Sequence, residues 1–304
     1  MIALAMLLDA VAGEHRLLRL GAPHPVVIAG NLIGFLERRL NTGEHRRGKG
    51  AVALTLALIP GLLISVPIVL WQHGWMLEIL IGAMLIAQRS LVDHVMAVAD
   101  GLSTSLAEGR RQVSMIVGRD PKSLDSAGVA RAAIESAAEN FSDGVAAPIF
   151  WFAVAGLPGI VTYKIVNTAD SMIGHRNERY REFGWAAARA DDLLNLVPAR
   201  LSGALFAAVG SSKAAVPVMF RDAPKHRSPN AGWPESAMAA ALGVALAGPR
   251  RYGDQIVDDP YMNADGRREA TARDIRRAIG LLWRAWAVIL ILAAAAAVVH
   301  WSMP

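Results

Sequence analysis

The sequence predicts an all-α fold, a polytopic membrane helical bundle with cytoplasmic loops and broken or re-entrant segments. Three observations carry that expectation. Hydrophobic residues fill 54% of the 304 positions and charged residues only 19%, against about 45–50% and about 25% in soluble domains; mean hydropathy is +0.34. Residues 51–71 run without one charge, about the length that crosses a roughly 30 Å hydrocarbon core. The basic residues gather in stretches beside such runs, the asymmetry that marks cytoplasmic loops.

Residues 1–304 read as one integral membrane domain, with apolar segments at 1–12, 51–71, 75–90, 145–166, 193–210 and 281–301. Residues 1–12 lack a basic leader region, and Asp9 and Glu14 follow closely, so they do not read as a secretory signal. Residues 23–40 form a helix after the Pro23-His24-Pro25 turn, and 38–49 are a basic cytoplasmic loop. Residues 51–71 cross outward, 72–74 turn, and 75–90 return despite Glu78. Trp71, Trp75, Trp283, Trp286 and Trp301 lie near segment ends, as interfacial anchors do.

The stretches 93–144, 167–192 and 211–280 read as polar cytoplasmic regions, with a helix over 126–139. Residues 145–166 are long enough to span, yet carry Gly156-Leu157-Pro158-Gly159 at their centre and charge on both flanks. A broken or re-entrant hairpin keeps both flanks in the cytoplasm; such backbone survives at membrane depth when protein covers it. Residues 193–210, with Pro198 and Arg200 inside, raise the same question. A basic helix over 265–277 leads into the last span, where Arg284 snorkels.

Several chemistries drop out. There is no cysteine, which excludes disulfides, thiolate catalysis and cysteine-bound metal. The net charge of +5 is explained by loop topology, so no nucleic acid is expected. Residues 43–50 approach a phosphate-binding loop but lack the Ser or Thr after Lys49 and a preceding strand. No H-E-x-x-H pair or G-x-S-x-G elbow occurs. Among the histidines, His24 between two prolines is the exception to a purely structural reading.

Four blocks carry candidate chemistry. Arg131, Glu135, Glu139 and Asp143 recur every fourth residue, one neighbouring row on a helix. Together with Asn140, the acidic members suit Mg²⁺ and nucleotide phosphates, because Mg²⁺ takes oxygen ligands; a solvated charged face is the competing reading. In 170–181, Arg176, Arg179 and Arg181 join Lys164 as phosphate binders, and Asp170 is a metal candidate. In 188–200, Asp191, Asp192 and Arg200 sit beside an apolar stretch, where charge is costly unless paired or metal-bound. In 222–235, Lys225, His226 and Arg227 are held between prolines, with Asn230 following, a stiffened anion-binding turn or a rigid connector.

At these residues the sequence resembles the adenosylcobinamide-phosphate synthase family of cobalamin biosynthesis. The matching stretches are Asp9-Ala-Val-Ala-Gly-Glu14 with Pro23-His-Pro25, then 131–148, 167–181, 188–201 and 222–235. His15 stands where the family often has proline. The resemblance implies a multi-pass bacterial inner-membrane ligase with a cytoplasmic active site. It would couple adenosylcobyric acid to (R)-1-aminopropan-2-ol or its O-phosphate, with ATP as substrate and Mg²⁺ as cofactor. The lipid bilayer and other membrane enzymes of cobalamin assembly are further expected partners. Within the matching blocks, Glu135, Glu139, Asp143, Asp192 and His226 are assigned to catalysis and proton handling. Glu139, Asp143, Asp170 and Asp191 are assigned to metal; Lys164, Arg176, Arg179, Arg200, Lys225, Arg227, Asn140 and Asn230 to substrate and phosphate. Competing classes are a membrane sensor of a family related through β-lactamase induction, and a corrinoid transporter or scaffold; polar blocks beside the spans, not at mid-membrane, disfavour transport.

Overall fold

A computed structural model describes residues 1–18, 24–118, 121–210, 212–252, 255–257 and 259–302, with backbone only at 14–18, 250–252, 255–257 and 300–301. The helices are α1 (Ile2–Leu18), α2 (Pro25–Leu40), α3 (Arg46–Leu70), α4 (Trp75–Leu85), α5 (Gln88–Thr104), α6 (Leu106–Val113) and α7 (Ser126–Phe141). After a π-helical turn at Ser142–Ala146 come α8 (Ala147–Ile173), α9 (Trp185–Leu194), α10 (Leu196–Val209), α11 (Ala215–Asp222), α12 (Gly232–Leu242) and α13 (Ala272–Ser302). Two short antiparallel pairs precede α13: β1 (Leu246–Ala247) with β4 (Tyr261–Met262), and β2 (Arg250–Tyr252) with β3 (Gln255–Val257). The all-α membrane class therefore stands. Contacts divide the chain into two compact units, Met1–Arg89 with Asp143–Asn195, and Ser90–Ser142 with Leu196–Pro304.

In the first unit, α2, α3, α8 and α9 share a core of Ile33, Leu36, Ala53, Ala57, Ile165, Ala169, Phe183 and Ala187. Pro25 begins α2 where a missing N–H costs nothing. His24 caps that helix: its Nδ1 accepts from the Val26 N–H at 3.2 Å, and its Nε2 lies 2.9 Å from the Met84 carbonyl. Both ring nitrogens are thus used, and His24 holds α2 in place. Gly50 lets α3 meet the Phe183 backbone, since a Cβ there would stand 1.8 Å from its carbonyl oxygen. The outer face of α3 is apolar and exposed at Val52, Leu56, Leu63 and Leu70, a surface suited to lipid and costly in water.

Residues 145–166 do turn back on themselves. Gly156 (φ 60°, ψ −153°) and Ala155 (φ −136°, ψ 21°) leave the helical region inside α8. The Tyr163 hydroxyl donates to the Asp143 carbonyl at 3.0 Å, twenty residues earlier in the chain; a straight helix would separate them by about 30 Å. A Cβ on Gly159 would lie 2.3 Å from the Trp151 carbonyl, atoms about 12 Å apart in a straight helix. The arms are therefore antiparallel, and the helical stretch Ser126–Ile173 is not one straight crossing.

By length and apolarity alone, four stretches of the described residues could cross a membrane, Arg46–Leu70, Trp75–Thr104, Ser126–Ile173 and Ala272–Val299, or five with α9 and α10 as one broken span at Asn195. Several boundaries differ from expectation. The return segment 75–90 runs on to Thr104, interrupted only at Ile86–Ala87, because the buried Asp9 carboxylate accepts the Gln88 N–H at 3.0 Å and starts α5. The basic stretch 265–277 is helical only from Ala272. Asp274 in the first turn of α13 reaches back to Thr271, whose N–H and hydroxyl both donate to its Oδ2 at 3.0 and 2.8 Å, one half of a capping box that fixes where the helix starts. Trp71 and Trp75 are half exposed, as anchors should be, whereas Trp286 is buried edge-on against Trp283. The Trp301 side chain lies outside the described residues.

In the second unit α7 is buried along most of its length, from Gly128 to Ala138. Asp125 caps it by accepting the Gly128 N–H at 2.7 Å, and Phe141 stacks on Phe206 of α10 with ring centres 4.9 Å apart. The β1–β4 pair, Leu246 opposite Met262 and Ala247 opposite Tyr261, lies beside α7 and α12.

Gly156 occupies a backbone region open to glycine alone, although a Cβ there would meet nothing closer than Pro158 Cδ at 3.9 Å. Gly156→Ala should therefore destabilise by about 1–3 kcal/mol through backbone strain. Gly48→Ala, in open space within α3, should be neutral or stabilising by about 0.5–1 kcal/mol. Thermal unfolding in detergent checks both; equal melting temperatures for the two variants would contradict the hairpin geometry.

Candidate functional site

The second unit encloses a cavity of about 360 Å³. Its wall from α7 carries Glu135, Ser136, Glu139 and Asn140, two pairs one helical turn apart. Glu135 is buried, and its Oε1 accepts the Ala247 N–H of β1 at 2.7 Å. Ser136 donates to the Ile116 carbonyl at 2.7 Å, and Asn140 donates back to the Ser136 carbonyl and hydroxyl at 2.8 and 3.0 Å. Glu139 and Asn140 are exposed on the cavity side. The expected row is interrupted at both ends: Arg131 donates to the Arg268 carbonyl at 2.7 Å, and Asp143 lies beyond α7 in the π-helical turn.

The opposite wall is the turn Ala223–Lys225 with the residues that follow it. Its anchor is Asp222, a fully buried carboxylate. Arg221 approaches it through Nε and Nη2 at 2.9 and 2.8 Å, Lys225 Nζ at 2.7 Å and the Asn263 N–H at 2.8 Å. Burial pushes its pKa up, but the hydrogen bonds from Arg221, Lys225 and Asn263 outweigh it and hold the carboxyl at about 2. Arg227 Nε pairs with Asp259 at 2.8 Å. His226 Nδ1 accepts the Ser228 N–H at 3.0 Å, and its Nε2 lies 3.7 Å from Glu235 Oε1 in the first turn of α12. Gly232 lets α12 start against this turn, since a Cβ would stand 2.4 Å from the Ala223 carbonyl.

The fold thus gathers Glu135, Glu139, Asn140, Lys225, His226 and Arg227 from the expected set around one cavity. Arg200 and Asn230, in the same unit, do not line it. Arg200 donates to the Leu196 carbonyl at 2.7 Å and covers the Trp233 ring at 4.6 Å, while Asn230 is buried in the turn, its N–H on the Ser228 hydroxyl at 3.2 Å. Glu235, Asp259 and the anchoring Asp222 were not singled out from sequence. Glu235 and Asp222 close the quoted block at either end, but Asp259 follows short strands without any motif.

The remaining expected residues belong to the first unit. Asp191 accepts from Asn167 and Asn195 at 3.2 and 3.0 Å, and Asn195 in turn accepts from Tyr163 at 3.0 Å. Lys164 lies within electrostatic reach of Asp191. Asp192 sits 3.6 Å from Arg189, Asp170 folds against Gly174 at the end of α8, and Arg176 is exposed. Arg179 grips the buried Glu37 through Nε and Nη2 at 3.0 and 3.1 Å, with Asn41 bridging to Glu37 at 3.0 Å and Arg46 donating to the Arg179 carbonyl. That pairing makes Arg179 a strut between α2 and the loop after α8. Among the described residues no three His, Asp or Glu side chains converge to hold a metal ion.

Because the Asp222 carboxyl is lowered, its stabilisation is complete above the unfolded value near about 3.9 and vanishes as pH falls through about 2. Asp222→Asn should cost about 2 kcal/mol above pH ~5, with the gap to wild type closing between pH ~4 and ~2. Melting temperatures across that range check it; a gap that persists undiminished at the acid end would contradict the anchor.

The comparisons agree on one kinship. The family described as CobD/Cbib protein matches residues 2–282. The cobalamin biosynthesis protein CobD of Sinorhizobium fredii is 50% identical, over 98% of this chain and 95% of the relative. Its namesakes from Brucella suis and Rhodobacter capsulatus are each 48% identical, over 98% and 100% of this chain and 96% and 98% of theirs. No solved structure matches. A largely helical chain with apolar spans, matched almost end to end by these relatives, belongs to the CobD/CbiB protein family.

Proposed function

We propose that this protein joins adenosylcobyric acid to (R)-1-aminopropan-2-ol or its O-phosphate, consuming ATP and yielding adenosylcobinamide or its phosphate. Its relatives' names give the pathway, cobalamin biosynthesis. The observation that carries the reaction type is the cavity between α7 and the Lys225–Arg227 turn. It holds carboxylates and cations together in one space, as a site that handles phosphate and moves protons requires. At about 360 Å³ it takes the reacting ends of the substrates rather than the whole macrocycle. We place it in the bacterial inner membrane with this cavity on the cytoplasmic side, where ATP is available.

Chemically, a carboxylate is a poor acceptor for an amine, so one of its oxygens first attacks the γ-phosphorus of ATP and ADP leaves. The amine then attacks the acyl carbon, the C–N bond forms, and inorganic phosphate departs. Lys225 and Arg227 would orient phosphate oxygens, Arg227 by its planar fork. Asn140 adds a neutral polar group for the nucleotide or the amine. A Mg²⁺ ion would neutralise phosphate charge. The donors suit it in one mode only: Glu139, exposed on the cavity side, supplies a carboxylate, and phosphate oxygens and water supply the rest. A cavity carboxylate takes the proton that the amine must lose. Asp143, Asp170, Asp191, Asp192 and Lys164 would serve by shaping the first unit's polar network.

Membranes containing the protein, given adenosylcobyric acid, Mg-ATP and each amine in turn, should form the amide and ADP in equal amounts, read by mass spectrometry. Corrinoid recovered unchanged with no ADP would refute the ligase reading. Glu139→Gln should lower kcat by roughly 10²-fold or more. Lys225→Ala should raise KM for ATP about tenfold, one lost charged contact of about 1.4 kcal/mol; steady-state kinetics in which KM stays flat would remove Lys225 from phosphate binding.

A further inference from the structure

His226 is the residue type most often found as a general base, yet its surroundings deny it that role. A backbone N–H can only donate, so the 3.0 Å contact from Ser228 makes Nδ1 an acceptor; the Ser228 carbonyl is farther, at 3.3 Å. The ring proton therefore sits on Nε2, the nitrogen 3.7 Å from Glu235 Oε1. The Ser228 hydroxyl accepts the Asn230 and Ala231 N–H groups at 3.2 and 3.3 Å and stiffens the turn that fixes this ring. With Nδ1 occupied and Nε2 protonated, His226 has no lone pair to offer a substrate.

Glu235 has the opposite character. It is buried, lines the cavity, and sits in the first turn of α12, and a carboxylate accepts a proton directly. The charged groups sharing the cavity are Glu135 and Glu139 from α7, Lys225 and Arg227 from the turn, and Asp259 from the strand region. Glu135 is engaged by Ala247, Lys225 is tied to Asp222 and Arg227 to Asp259.

Resting on the ligase reading above, we propose that Glu235 is the proton acceptor for the amine, and that His226, whose Nε2 faces it at 3.7 Å, is a positioning residue beside it. The amine arrives as an ammonium ion. Its first proton passes to the Glu235 carboxylate, giving a carboxylic acid and a neutral amine. The nitrogen lone pair then forms the C–N bond, the acyl C–O bond breaks, and the leaving phosphate carries the second proton.

Hydroxylamine discriminates this role from a structural one, because it is already a free base at neutral pH and needs no proton acceptor. Full-length wild type and Glu235→Gln in membranes are given adenosylcobyric acid, Mg-ATP and either aminopropanol or hydroxylamine. The variant should lose at least about 100-fold in amide formation while its ATP-dependent hydroxamate formation stays within a few-fold of wild type. Its amide rate should also climb about tenfold per pH unit as the free amine becomes available. His226→Asn should show a weaker form of the same pattern. Equal loss of both products, or loss of neither, overturns the assignment. Glu235→Asp, with the same carboxylate on a shorter stem, covers a failure of Glu235→Gln to assemble: it should keep hydroxamate formation and lose amide formation selectively, and uniform loss overturns the proposal. Wild type that makes neither product refutes the ligase reading instead.

Discussion

Asp222 is a fully buried carboxylate at the end of α11, and it binds cations from its own helix and turn together with a backbone N–H from Asn263. The cavity's opposite wall depends on that arrangement. A buried carboxylate without such partners is costly. With them it fixes the turn from which Lys225, His226 and Arg227 reach the cavity. It also occupies one face of Lys225, so that the ammonium enters the site held in place rather than swinging on a four-carbon stem. Arg227 is held in the same way by Asp259. The site's cations are thus prealigned by carboxylates that are not themselves candidates for chemistry, the arrangement expected where electrostatic preorganisation matters.

The first unit shows a related economy in its treatment of polar groups near apolar helices. The hairpin within α8 brings Tyr163 to the Asp143 carbonyl, and through Asn195 to Asp191 and Asn167. Each member satisfies the next, which is the condition for polar side chains to persist beside a membrane-embedded core. Glu37 and Arg179 solve the same problem at the other end of α2.

Much of this was legible where the signal is local. Pro25 marked the start of α2, the uncharged run 51–71 marked most of α3, and Gly156-Leu157-Pro158-Gly159 marked the turn inside α8. Fourfold spacing brought out Glu135 and Glu139, and flanking prolines brought out Lys225–Arg227. What escaped depends on distant partners or on short signals. Glu37 meets Arg179 across 142 residues, so an arginine read as a phosphate binder became a strut. The start of α13 was placed too early because charge density in 265–271 hid the Thr271–Asp274 cap. Asp259 follows short strands that have no periodicity to read. His226 was legible as a candidate, but its tautomer depends on the Ser228 N–H, which only the folded turn reveals.

The proposed reaction requires that the corrinoid carboxylate be activated by phosphoryl transfer before the amine attacks. The direct measurement uses adenosylcobyric acid carrying ¹⁸O in the reacting carboxylate, with Mg-ATP and aminopropanol phosphate. One labelled oxygen should appear in the released inorganic phosphate for each amide formed. Amide formation that leaves the phosphate unlabelled would contradict it.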